Sequence, residues 1–141
     1  MSELTWKVVR PLLDRAPIKK LEEVVGVAIP EDFIECVVRN NAGYPSHERF
    51  ETAEGIEHIC NNLLSFDEKK NVNIYNTYDS IIALTGNKLL LPFAEDPFGN
   101  YICFDFSGSD VKVVFWEHET KKIEVVSSTF NEFLAKLSPS E

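Results

Sequence analysis

The chain has 141 residues, 44% of them hydrophobic, which is ample for a packed core and excludes a disordered polymer. Its 14 Lys and Arg stand against 23 Asp and Glu, and this net charge of −9 disfavours phosphate backbones and anionic membranes as direct ligands. A basic partner is favoured instead, because opposite fields speed encounter and select partners.

From the N-terminus, MSELTWKVVR has no apolar signal core, and no later stretch is long and apolar enough to span a bilayer, so the expected location is cytoplasmic. A short first helix is expected from Leu4 to about Arg10, ended by Pro11. Pro17 suits the first turn of a second helix, with Ile18, Leu21 and Val25 on one face and Gly26 as a left-handed cap. Ile29-Pro30-Glu31-Asp32 opens a third, with acids in its first turn where the helix dipole favours them. Phe33, Cys36, Val37 and Asn40 continue it at helical spacing, and Asn41-Ala42-Gly43 stops it.

Ile56, Ile59, Cys60 and Leu63 are spaced as the buried stripe of a fourth helix beginning near Thr52. On that reading His58 and Cys60 point to different helix faces, one at the surface and one buried. Ser65-Phe66-Asp67-Glu68 fits either a capping box or a loop. Between Lys69 and Ser80, Asn71, Asn73 and Asn76 disfavour a strand, and Ile74, Tyr78 and Ile81 fit a helix face.

From Leu89 the period becomes two. Leu89–Phe93 reads as a strand, Asp96-Pro97-Phe98-Gly99-Asn100 as a turn, and Tyr101–Phe106 as a strand with Ile102, Phe104 and Phe106 on one face. After Ser107-Gly108-Ser109, Val111–His118 sets Val113 and Phe115 on one side and Lys112, Val114, Trp116 and His118 on the other. Ile123–Val126 follows. Thr129 and Glu132 then stand in capping-box register before a helix that buries Phe130, Phe133, Leu134 and Leu137. Helices first, strands last and one closing helix make a single α+β domain over 1–141, with an antiparallel sheet packed by helices from both ends of the chain.

The acids are clustered. Residues 29–68 hold nine against Arg39 and Arg49, and residues 92–120 hold six against Lys112. They form one acidic face on condition that the fold brings the two stretches together.

Catalytic patterns are missing. The six glycines make no GxGxxG or GxxxxGK loop, there is no GxSxG elbow, and His47, His58 and His118 fall on different elements without HExxH. Cys36, Cys60 and Cys103 are odd in number and widely spaced, which reads as buried free thiols with no metal and no cofactor. Glu117 and Glu119 share a strand face and admit acid/base chemistry if buried, but a solvated strand end is the preferred reading. Asp105 inside an aromatic-rich strand reads as an anchor for turn amides.

An ordered set of segments carries a family resemblance: Ile29-Pro30-Glu31-Asp32-Phe33, Asn40-Asn41-Ala42-Gly43, Leu91-Pro92-Phe93-Ala94, Gly99-Asn100-Tyr101-Ile102-Cys103-Phe104-Asp105, Val113–Glu119 and Phe130-Asn131-Glu132-Phe133-Leu134. In this order they resemble the SUKH superfamily of fungal cell-wall-assembly regulators and bacterial toxin-immunity proteins, over roughly Ile18 to Leu137. The chain departs from the family pattern at Ala42, where asparagine is often followed directly by glycine. The resemblance implies a mixed, mostly antiparallel sheet flanked by helices. It also implies no catalytic apparatus, and a stand-alone immunity protein that binds the toxic C-terminal domain, often a nuclease, of a secreted toxin. Occlusion of a basic nuclease groove by an acidic domain is the expected mechanism.

Acids and aromatics at strand ends and turns make the expected contact set Glu95, Asp96, Phe98, Asp105, Asp110, Trp116, Glu117 and Glu119. Trp116 fits a core position equally well, and Phe98 fits turn packing ahead of contact. Two other readings stand beside this one. One is a regulatory scaffold binding a host protein; the other is an enzyme or small-ligand protein with a pocket at Tyr101, Cys103 and His118.

Overall fold

The computed structural model describes residues 3–139, so the four terminal positions of the domain expected over 1–141 lie outside the described residues. An extended N-terminal strap holds β1 (Trp6–Lys7), followed by α1 (Ala16–Val25), α2 (Glu31–Asn40), β2 (Tyr44–Pro45), β3 (Arg49–Glu51), β4 (Glu57–Ile59) and β5 (Asn62–Leu63). Next come α3 (Ile74–Thr85), β6 (Leu90–Glu95), β7 (Tyr101–Asp105), β8 (Lys112–Trp116), β9 (Ile123–Ser127) and α4 (Phe130–Lys136). Strands β5-β6-β7-β8-β9 form a wholly antiparallel five-stranded meander, and β1-β2 and β3-β4 are separate two-stranded pairs. The fold is α+β, as the sequence pattern predicts.

Alternation sends Leu91, Phe93, Ile102, Phe104, Val113, Phe115 and Val126 to one face of the sheet, where α1, α2 and α4 cover them. Phe33 of α2 is the hub, meeting Phe93, Phe104 and Phe130 edge-on at ring distances of 5.5, 5.2 and 5.2 Å. Such pairs add about 0.5–1.5 kcal/mol each beyond their buried area. On the opposite face Leu90, Cys103, Val114 and Trp116 pack with Ile81 of α3.

The helix signals at 17–26, 31–41 and 129–137 work as expected. Gly26 has φ +84° and its N–H reaches Glu22 O, while Thr129 Oγ1 accepts the Glu132 N–H at 3.1 Å. In α3 the asparagines are the cap itself: Asn73 and Asn76 each accept the other's backbone N–H at 2.9 Å. Ser65 to Glu68 is a loop, with Ser65 Oγ accepting the Asp67 N–H.

Two expected helices are absent. Residues 4–10 form the strap, because isolated short helices are marginal and Val8 takes a left-handed backbone, φ +57°, which a right-handed helix does not admit. The strap is tied to residues 38–46 by the β1-β2 pair, by Arg10 N–H to Asn41 O and by Leu12 N–H to Val38 O, both 2.8 Å. A Cβ on Gly43 would lie 2.7 Å from Asn40 O and 3.0 Å from Val9 Cγ1, so glycine is what lets the strap close. The stripe at Ile56, Ile59, Cys60 and Leu63 belongs to strands. Thr52 Oγ1 accepts the Ile56 N–H and Gly55 takes φ +84°, which turns the chain into the β3-β4 hairpin. Tertiary contacts decide the outcome: Ala53 N–H bonds Val125 O, and His58 stacks on Phe115 with ring centroids 3.6 Å apart. His58 is therefore a packed residue, bonded through Nε2 to Glu124 Oε1 at 2.8 Å, and not a surface histidine.

Candidate functional site

The meander sets the β6-β7 turn and the β8-β9 turn at one end of the sheet, because Tyr101 pairs with both Glu95 and Trp116, and Trp116 with Ile123. The two turns are bonded together. Asp96 Oδ1 accepts the N–H groups of Phe98 and Asn100, both at 2.8 Å, and Asp96 Oδ2 accepts Asn100 Nδ2 at 2.9 Å. Asn100 Oδ1 in turn accepts the His118 N–H at 2.8 Å.

Glu95, Phe98, Glu117 and Glu119 are thereby gathered at this end. Phe98 is 76% exposed, an aromatic ring held in water by a rigid turn. Glu95 is half-buried; burial raises its carboxyl pKa, a bond from Asn62 Nδ2 at 3.4 Å lowers it, and the Asp96 charge raises it further. Glu117 Oε1 accepts Thr120 Oγ1 at 3.0 Å, and Glu119 is exposed, so this carboxylate pair lies in a solvated turn just beyond β8. The earlier acidic stretch also reaches this end. The charges of Glu48 and Glu95 both oppose ionisation of Cys60, and Asn61 N–H bonds Glu95 O at 2.8 Å.

The rest of the expected contact set is placed elsewhere. Asp105 and Asp110 flank the β7-β8 turn at the opposite end, about 14 Å away along β7 at about 3.4 Å per residue. Asp105 does anchor a turn amide, accepting the Ser107 N–H at 2.9 Å. Asp96 is 4% exposed, with both its carboxylate oxygens engaged in the turn, so it shapes the surface and does not form it. Trp116 is fully buried, the core alternative for that residue. Other acids of the first stretch are drawn off to different neighbours: Glu31 to Arg15 at 3.0 Å, Glu68 to Lys20 at 2.6 Å, and Asp32 Oδ2 to the Asn131 N–H at 3.0 Å.

The pocket expected at Tyr101, Cys103 and His118 is not assembled. Cys103 is completely covered by its neighbours in the α3-side core, and burial raises its thiol pKa well above the ordinary range. Among the described residues there is no cluster of three His, Cys, Asp or Glu able to hold a metal ion, and no helix long and apolar enough to cross a membrane. The strap creates two clefts that sequence reasoning missed. One of about 280 Å³ is lined by Val8, Arg10, Tyr44, Lys70 and Val72 among others, and one of about 540 Å³ by Pro11, Leu13 and Phe66. No local residue pattern signalled the strap, since the β-branched Val8 turns left-handed, φ +57°, against its own preference.

The family described as SMI1-KNR4 cell-wall (SUKH_6) matches residues 15–134. The chain belongs to the SUKH_6 family. No curated protein and no solved structure matches it significantly. In this SUKH_6 chain the matched span runs from the start of α1 to within α4, leaving the strap outside it.

Proposed function

We propose that this SUKH_6 protein is a non-catalytic immunity protein that binds the toxic C-terminal domain of a secreted bacterial toxin, a nuclease, and blocks its substrate groove. One observation carries the reading: two acid-bearing turns are locked side by side by the Asn100–His118 bond. Glu95, Phe98, Glu117 and Glu119 are presented there on a rigid scaffold. A nuclease needs a cationic groove for phosphates, and a pre-organised anionic end with an exposed ring competes for it without ordering cost. Asp96 and Trp116 support this surface from below, and Asp105 and Asp110 lie outside it.

The test is co-expression with the C-terminal domain of a toxin encoded in the adjacent reading frame. Rescue of growth together with a complex that survives size-exclusion chromatography is expected. Failure of both rejects the assignment. The cell-wall description of the family favours a second reading, a regulatory scaffold for a host protein; a stable complex with such a protein and none with the toxin domain would select it.

A further inference from the structure

Asn41 joins two walls of the cleft of about 280 Å³ beside the strap. Its backbone carbonyl accepts the Arg10 N–H at 2.8 Å, and its buried Oδ1 accepts the Phe66 N–H at 2.9 Å, next to Ser65 of the lining. A third wall, Lys70 to Val72, is fixed by the cap of α3. There Asn73 Nδ2 donates to Lys70 O at 3.1 Å, and Asn76 Nδ2 donates to Asn71 O at 2.9 Å. These bonds set the shape of the cleft in the free protein, which lowers the ordering cost of filling it.

The charged residues lining the cleft are Arg10, Lys70 and Glu95. Among the described residues none of the three takes part in an ion pair. The acids nearest Lys70 in sequence are already used, Glu68 by Lys20 and Asp67 by the Lys69 N–H, while Lys7 and Lys69 are exposed and add positive charge beside the strap. Asp96, next to Glu95, spends its carboxylate on its own turn. Arg10 and Lys69 also line the adjoining cleft of about 540 Å³, and Glu95 does not. The bases therefore stand on the side the two clefts share, and Glu95 stands on the far side, at the end of β6. Val8, Tyr44 and Val72 supply exposed apolar surface in the same cleft.

We infer that this cleft binds a small zwitterion with separated charges, a dipeptide, whose carboxylate meets Arg10 and Lys70, whose ammonium meets Glu95, and whose side chain lies on Val8, Tyr44 and Val72. A plain anion is opposed by Glu95, and a plain cation by the two bases. The lining selects a molecule that carries both charges. Those charges stand apart on the ligand, because Glu95 is in ion-pair contact with neither base. A dipeptide spans about 7 Å at about 3.5 Å per residue, and a volume of about 280 Å³ is about 6.5 Å on a side. The planar fork of Arg10 suits a carboxylate, and charge-assisted bonds of this kind are the strong ones. None of this depends on the toxin-binding reading.

NMR titration of the purified chain with glycyl-leucine tests the site. Saturable shifts of the amides lining the cleft are expected, with a Kd of about 1 mM or tighter, which lies within the range open to a ligand of this size. Acetylating the amine of the dipeptide, or amidating its carboxylate, is expected to weaken binding about fivefold or more. Arg10→Gln and Glu95→Gln, each removing one charge while keeping the wild-type spectrum, are expected to do the same. No saturable shift up to about 10 mM dipeptide overturns the inference. Affinities within about twofold of the parent for both capped dipeptides, or for both variants, overturn it too. Inorganic phosphate that shifts the same amides as tightly as the dipeptide identifies a plain anion site, which also overturns it. A chain that binds no toxin domain still binds the dipeptide, so the two readings fail separately.

Discussion

Asn100 Oδ1 accepts the backbone N–H of His118 at 2.8 Å, across two turns that are 18 residues apart in sequence. That bond depends on Asp96, whose carboxylate fixes Asn100 through its backbone N–H and its side-chain amide. Removing the carboxylate leaves three donors at the turn without their acceptor. Asp96→Ala is expected to cost about 2–3 kcal/mol of stability, since bonds to a charged acceptor contribute about 1.5–3 kcal/mol. Urea denaturation measures it. A cost under about 0.5 kcal/mol would mean that the turn holds its shape by backbone alone.

Binding through exposed carboxylates carries a salt signature. Glu117 and Glu119 lie in a solvated turn, so their attraction for a cationic groove is screened as the Debye length falls. Association is expected to weaken by roughly tenfold between about 0.05 M and about 0.5 M salt, mostly through a slower on-rate. Stopped-flow binding with the toxin domain gives both rates. A salt-independent on-rate would remove the acidic turns from the encounter.

His58 and Glu124 form a nearly buried pair, 2.8 Å apart, with the imidazole stacked on Phe115 at 3.6 Å. Taking away either partner strands the other in a dry site. His58→Ala and Glu124→Ala are each expected to cost about 2–3 kcal/mol, and the double variant about 1–2 kcal/mol less than their sum. Strict additivity in the double-mutant cycle would show that stacking, not the hydrogen bond, holds the hairpin.

That pair also shows where sequence reading stops. The meander from Leu89 was legible because Phe104, Val113 and Phe115 alternate strictly and the turns carry Asp, Gly and Asn. Helices α1, α2 and α4 were legible from Pro17 and Gly26, from Pro30 with Glu31 and Asp32, and from Thr129, residues with clear local meanings at helix ends. The β3-β4 hairpin was not. Ile56, Ile59 and Cys60 fit a helical stripe, and the contacts that make them strand residues come from Phe115, Glu124 and Val125, far along the chain. The acidic end was half legible: residue types flagged Glu95, Phe98, Glu117 and Glu119, but only the register of β7 shows that Asp105 and Asp110 face the other way along the sheet.

Val8 carries the strap through a left-handed turn, φ +57°, with a β-branched side chain that is largely exposed. That backbone costs about 1–2 kcal/mol for an L-residue, and a glycine avoids it at the price of about 0.5–1 kcal/mol of extra chain entropy. Val8→Gly is expected to raise stability by about 0.5–1 kcal/mol in urea unfolding. A loss of similar size would mean that the valine packs against the cleft it lines.

The three thiols make stability fall in alkali. Burial pushes the Cys36 pKa up to about 11, against an Asn40 side-chain bond that lowers it and with an Asp32 charge that raises it. Burial raises the Cys60 and Cys103 thiols as well. In the unfolded chain a thiol ionises near pH 8.5, so above that pH the unfolded state has lost protons that the folded state keeps. Raised folded pKa values therefore stabilise the protein fully below the unfolded value, and this contribution drains away as pH climbs towards the folded values. Each thiol contributes a slope of about 1.4 kcal/mol per pH unit in that window. Unfolding free energy is expected to decline steeply from about pH 9 to about pH 11, joined above about pH 10 by Tyr75, Tyr78 and Tyr101, whose pKa values burial also raises, and Cys60→Ala should make the decline shallower, whatever it does to stability at neutral pH. Urea midpoints at stepped pH measure both. A flat profile across that window would mean that the thiols ionise as readily inside the fold as outside it.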